Sequence, residues 1–145
     1  MRYFDDHALG DRVVTIARTL TETHLVQFCM LSGDWYQLHA DKQWAENEGP
    51  FGARIAHGYL VLAFAAGLMP LGEWALVAFY GLDRVRFTAP TYIDDTLHAD
   101  LEVIDLQDKG ERGGVVSFAT KVLDHNGDLK AHYVTKALFE KRPAA

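Results

Sequence analysis

The sequence predicts one α+β domain over residues 1–145, a curled antiparallel sheet wrapped around a long apolar central helix. Three observations predict it. An apolar run, IAHGYLVLAFAAGLMPLG, occupies residues 55–72. Strand-like segments fill the half of the chain that follows it. The connectors between those segments are short and rich in turn residues, which suits antiparallel hairpins better than helical crossovers.

Each element follows from its residues in order. Residues 12–20, RVVTIARTL, are rich in Val, Ile and Thr and read as a short strand. Thr21 then offers an N-cap, Glu22 suits a first helical turn, and Leu25, Phe28 and Cys29 follow at helical spacing. Gly33 ends that helix, because glycine accepts the left-handed conformation past a C-terminus. A second short helix is predicted over 41–48, DKQWAENE, with Asp41 as its N-cap and Trp44 as its anchor. GPFG at 49–52 is a turn. The apolar helix runs from about His57 to Met69, and Pro70 stops it. Four strands are then expected as a meander at 75–87, 96–107, 113–124 and 129–141, with Asn126-Gly127 marking a hairpin.

Composition narrows the function. Apolar residues make up 49% and charged residues 23% of 145, the ordinary globular range. The net charge of −6, from 14 basic and 20 acidic side chains, lacks the basic footprint that nucleic-acid binding needs. The uninterrupted apolar part of 55–72 is about a dozen residues, short of the ~20 of a spanning helix, so no membrane partner is expected. The single cysteine, Cys29, falls in an apolar run and reads as a buried inert thiol. The first residues, MRYFDDHALG, have no apolar h-region, and a reducing, cytoplasmic location is the expectation.

The chemistry concentrates in SGDWYQLHAD, residues 32–41, which sets Asp34 and His39 among two aromatics. On a continuous helix, five positions would turn the two side chains about 140° apart. They converge only if Gly33 breaks the helix and residues 34–39 form a loop. Asp34 would then lie past a helix C-terminus beside Trp35 and Leu38, where dipole and desolvation both disfavour its charge, as suits a general base. Gly58, at the predicted start of the apolar helix, offers free backbone N–H groups and room for a carbonyl oxygen. His57 invites a catalytic reading, yet at a helix start it also suits a cap or a loop-orienting group. Asp34, His39 and His57 have no tight metal-ligand spacing, and no metal is expected. Arg54, Arg84 and Arg86 suit the phosphates of a ligand or surface ion pairs equally. His98, His125 and His132 lie in or beside strands and read as solvent-facing.

Two of these stretches carry a family resemblance. LSGDWYQLH resembles the hydratase motif of the MaoC-like dehydratase family, which includes the (R)-specific enoyl-CoA hydratases, and FGARIAHGYL (51–60) resembles that family's entry to its central helix. The resemblance covers nearly the whole chain and implies a hot-dog fold. It implies hydration of a 2-enoyl thioester, carried by coenzyme A or an acyl carrier protein, with no other cofactor. Asp34 would be the base towards water, His39 its partner, and Gly58 the donor to the thioester carbonyl. A homodimer or higher homo-oligomer is implied as well. The sequence departs from the family at Tyr36-Gln37, where Asn-Pro is usual, which puts Tyr36 in the substrate pocket and substrate choice in question. A thioesterase of the same fold, or a module that binds acyl thioesters without turnover, are the alternatives.

Overall fold

The computed structural model describes residues 1–144. Helix α1 (Glu22–Ser32) starts and stops where its residues dictate. The Thr21 N–H donates to His24 Nδ1 at 2.9 Å, and Gly33 takes the left-handed conformation at φ 76°. A single turn, α2 (Gln37–Ala40), and the short α3 (Lys42–Asn47) follow. Asp41 caps α3 by accepting from the Trp44 N–H at 2.9 Å, while the buried anchor is Ala45 rather than Trp44.

The central helix, α4 (Gly58–Ala66), is shorter than its sequence predicts. Leu68 and Met69 donate to carbonyls three residues back, so the chain tightens as it approaches Pro70. Among the described residues no helix is long and apolar enough to cross a membrane.

The sheet contains β1 (Arg12–Val14), β2 (Arg18–Thr19), β3 (Leu76–Phe87), β4 (Thr96–Asp108), β5 (Gly114–Leu123) and β6 (Leu129–Phe139). The expected first strand is two pieces. The Ala99 N–H donates to Thr15 Oγ1, a side-chain atom, and the ladder to β4 is interrupted there. These six strands pair antiparallel throughout, in the order β1-β4-β5-β6-β3, with β2 also on β4. The expected meander therefore holds for β4, β5 and β6 but not for β3, which pairs with β6 at the far edge. The β5–β6 link is a tight turn on Asn126-Gly127, whereas residues 88–95, with Pro90, are too long for a two-residue hairpin and lead away to β4.

Two apolar clusters fill the interior. One joins Leu25 and Cys29 of α1 and Leu60, Val61 and Phe64 of α4 to Leu97, Val122 and Ala131 of the sheet. The other packs Trp74, Leu101, Phe118 and Phe139 at the opposite end of the strands. Lys130 pins the segment after β3. Its buried ammonium donates to the Pro90 carbonyl at 3.1 Å and contacts Asp95 at 3.3 Å and Asp124 at 3.0 Å, one partner for each N–H.

Candidate active site

Past Gly33, Asp34 is held by its own backbone. Its N–H donates to Ser32 Oγ at 3.1 Å, and its Oδ1 accepts from the Tyr36 N–H at 3.1 Å, an Asx turn. The chain then re-enters a helical turn instead of staying a loop, so His39 projects from α2. Tyr36 is the N-cap and Gln37 the first helical residue of that turn. Asn and Pro are favoured at those two places, so the departure at 36–37 removes a side-chain cap. No cap bond from Tyr36 takes its place, but its ring packs 6.2 Å from His39 and 6.3 Å from Trp44.

His57 brings the pieces together from the other motif. It is 2% exposed, and its ring stacks on His39 with centroids 3.8 Å apart. Its Nε2–H donates to the Asp34 carbonyl at 3.0 Å, with the Asp34 carboxylate 3.9 Å away. His39 Nδ1–H donates to the Ile55 carbonyl at 2.7 Å. A carbonyl can only accept, so in neutral His39 the lone pair lies on Nε2. Burial holds His57 below the ordinary histidine range, against its bond to the Asp34 carbonyl, and the neighbouring His39 acts in the same direction as burial.

Asp34, His39 and His57 each offer one ligand-type atom, all within 4.8 Å of one another. The structure thus brings the three together although no tight ligand spacing links them in sequence. A metal is still poorly served. His57 Nε2, the nitrogen nearest the Asp34 carboxylate, already gives its proton to a carbonyl and has no lone pair on that side.

His39 and Gly58 line a cleft of about 410 Å³, together with Leu38, Val61, Phe87 and Thr91. Asp34 stands beside His39 outside that lining, with its side chain 49% exposed. The apolar enclosure expected around this carboxylate is therefore missing in the single chain, since Trp35 is exposed too. Gly58 begins α4, as expected. A Cβ there would meet the Phe87 ring at 2.6 Å, so Phe87 supplies a second reason for glycine at this position.

The remaining candidates fall elsewhere. His57, open from the sequence to a catalytic, capping, loop-orienting or substrate-binding role, is buried against His39. As the residue before α4 it makes no side-chain cap. Tyr36 is exposed and outside the cleft lining. Arg54 is tied to Glu22 at 2.5 Å with its side chain 15% exposed, and it does not line the cleft. Arg84 and Arg86 are exposed on the edge strand and do not line the cleft. Phe87 and Lys130 were not singled out from the sequence. Lys130 carried one signal, a lysine near the start of an otherwise inward-packing strand.

A central helix whose first turn faces an acid–histidine pair, on a curled antiparallel sheet, is the arrangement of a MaoC-like domain. The pattern of that family matches residues 6–126, and the chain belongs to it. The fold is the hot-dog fold, shared with a Mycobacterium tuberculosis protein of double hot-dog fold at a TM-score of 0.87 and 21% identity, covering 99% of this chain and 46% of that one. Among relatives, the chain is 41% identical over 101 residues to Protein MaoC of Klebsiella aerogenes, covering 69% of this chain and 30% of that protein. It is 29% identical over 124 residues to 3-hydroxyacyl-thioester dehydratase Z of Mycobacterium tuberculosis, covering 83% and 81%. The solved structure of a monoamine oxidase regulatory protein from Archaeoglobus fulgius superimposes with a TM-score of 0.89 at 34% identity, covering 98% and 96%.

Proposed function

We propose that the chain is a hydro-lyase that reversibly hydrates a 2-enoyl thioester, of coenzyme A or an acyl carrier protein, to the 3-hydroxyacyl thioester. The observation that carries this reading is the Asp34–His39 pair beside the free N-terminus of α4 at Gly58. Ligand-type atoms of Asp34 and His39 lie within 4.8 Å of each other, a gap that one water bridges with hydrogen bonds of about 2.8 Å on each side. Such a water donates one proton to the Asp34 carboxylate and the other to His39 Nε2, which turns its oxygen lone pair outward for attack on C3.

As the O–C3 bond forms, Asp34 takes a proton from the water. The electron pair of the double bond moves into the thioester as an enolate, and the proton then goes to C2, so one H and one OH are added. The Gly58 N–H and the positive end of α4 stabilise the enolate oxygen, a contribution of roughly 3–4 kcal/mol for one donor of this kind. His57, kept neutral, holds the Asp34 backbone and the His39 ring in register. No cofactor beyond the substrate's own carrier is needed.

The free edge of β3 supports a homodimer. Val77, Phe79, Tyr80 and Leu82 are exposed along it, and an unpaired apolar edge is a ready template for a second strand. The test is crotonyl-CoA hydration by the purified protein, followed as loss of the enoyl-thioester absorbance, with its sedimentation run alongside. Absorbance loss without free thiol, from a dimer, is expected. Free thiol would mean a thioesterase, binding without turnover of any enoyl thioester would mean a non-catalytic module, and a monomer would remove the edge pairing.

A further inference from the structure

The stretch 55–58 supplies the candidate site at three points. The Ile55 carbonyl takes the His39 Nδ1 proton, the His57 ring stacks on His39, and Gly58 opens α4. Residues 55 and 56 belong to no regular strand or helix. The Ile55 N–H donates to the Leu38 carbonyl at 3.3 Å on the α2 side. On the other side stands an isolated antiparallel bridge from Ile55 to Tyr92, with the Ala56 N–H donating to the Thr91 carbonyl at 2.8 Å. Where the Ile55 carbonyl sits therefore depends on where residues 90–92 sit.

Those residues are fixed from β6 by Lys130. Its backbone carbonyl accepts from the Thr88 N–H at 3.0 Å, and its ammonium donates to the Pro90 carbonyl and meets Asp95 and Asp124. Asp95 Oδ2 in turn accepts from the Tyr92 N–H at 2.8 Å. One nitrogen thus reaches both ends of the 90–92 stretch, directly at Pro90 and through Asp95 at Tyr92. The Lys130 side chain is 6% exposed and does not line the cleft, whereas Pro90 and Thr91 do. Burial disfavours the ammonium, but the bonds to Asp124 and Asp95 outweigh it and hold Lys130 above the ordinary lysine range, so it stays charged. Buried ion clusters often add little net stability once desolvation is counted. Three directional donors on one nitrogen do fix where a carbonyl and two carboxylates sit.

We propose that Lys130 is a positioning residue for the acid–histidine pair. Through Pro90 and Asp95 it holds the 91–92 bridge that seats the Ile55 carbonyl, and so keeps the His39 proton on Nδ1 and its lone pair on Nε2. The proposal rests on the enoyl-thioester reading of the cleft, in which Nε2 accepts from the attacking water. With the Ile55 carbonyl let go, His39 loses the acceptor that sets its tautomer, and part of the population carries the proton on the wrong nitrogen. Gly58, on the same stretch, shifts with it.

The test is imidazole nitrogen NMR of histidine-labelled protein, at a pH well above the histidine range, on wild type, Lys130→Met and Asp95→Asn. Asp95→Asn keeps an amide oxygen for the Tyr92 N–H but removes the charge facing Lys130. Wild-type His39, assigned by its loss in His39→Asn, is expected as the Nδ1–H tautomer alone. Lys130→Met should show a mixture of tautomers at His39 and Asp95→Asn a smaller share of the second form, while His7 and His24 keep their wild-type signals. On crotonyl-CoA, Lys130→Met should lower kcat by roughly 10–100-fold and leave KM within about twofold. A folded Lys130→Met with the wild-type His39 signal or an unchanged kcat would overturn the proposal. Changes spread equally over His7 and His24 would also overturn it, because they mark a general loosening of the fold. Should Lys130→Met not fold, an unchanged His39 signal in Asp95→Asn would overturn it in the same way. No hydration by wild type, with the His39 signal shifting as expected in the variants, would instead strike the reading of the cleft and leave the seating of His39 as proposed.

Discussion

Two of the buried histidines, His57 and His7, sit in opposite surroundings. His57 sits in a polar cluster, stacked on His39 and bonded to the Asp34 carbonyl. His7 sits in an aromatic box, edge-on to Phe118 and Phe139 and near Trp74, with both ring nitrogens unpaired. Burial holds both below the ordinary histidine range, and for His7 the value falls to about 4, with the Arg2 charge adding to burial. The comparison separates two uses of a neutral imidazole. In the first region it organises groups that can move protons. In the second it fills apolar volume and leaves two polar atoms uncompensated, which makes that end of the core sensitive to acid.

The largest expected effect breaks the first region. Asp34→Asn and His39→Ala should each lower the enoyl-CoA hydration rate by on the order of 10²–10⁴ while the far-ultraviolet circular dichroism stays that of wild type. A folded variant with near-normal turnover would take its residue out of the mechanism.

The next breaks the second region. Between pH 6.5 and about 4 the unfolded chain binds a proton at His7 that the folded chain refuses. Stability from this group is therefore complete above pH 6.5 and falls by up to about 3 kcal/mol as pH drops through that window. His7→Phe should flatten the loss of urea stability between pH 7 and pH 4.5 without removing it, because His57 pulls in the same direction. Equal losses in wild type and variant would assign the acid sensitivity elsewhere.

The smallest effect sharpens the comparison at the border of the active site. Tyr36→Asn should restore a side-chain cap to α2 and raise stability by about 1 kcal/mol, read as a higher thermal midpoint. A lower midpoint would mean that the Tyr36 contacts with His39 and Trp44 outweigh the missing cap.

Legibility followed the range of the forces involved. The stop at Gly33, the cap at Asp41 and the turn at Asn126-Gly127 are local and were readable from a few residues. Asp34 and His39 were readable as a pair because their motif is short, although the helical turn that carries His39 was read as loop. The bracing role of His57 was open among several readings, because it depends on contacts 18 and 23 residues away in sequence. Arg54 shows the reverse: its side chain is tied to Glu22, and nothing in its neighbourhood announces that partner.

By itself, then, the sequence determined which segments are strands and helices and where most of them stop, since backbone sterics and side-chain periodicity act within a few residues. It also determined which side chains were chemically able to move protons. Only the tertiary structure decided that β3 pairs with β6 and that His57 lies against Asp34 and His39. An apolar stripe records that a face is buried but not against what, and strand pairing and side-chain meeting are settled by the whole core at once.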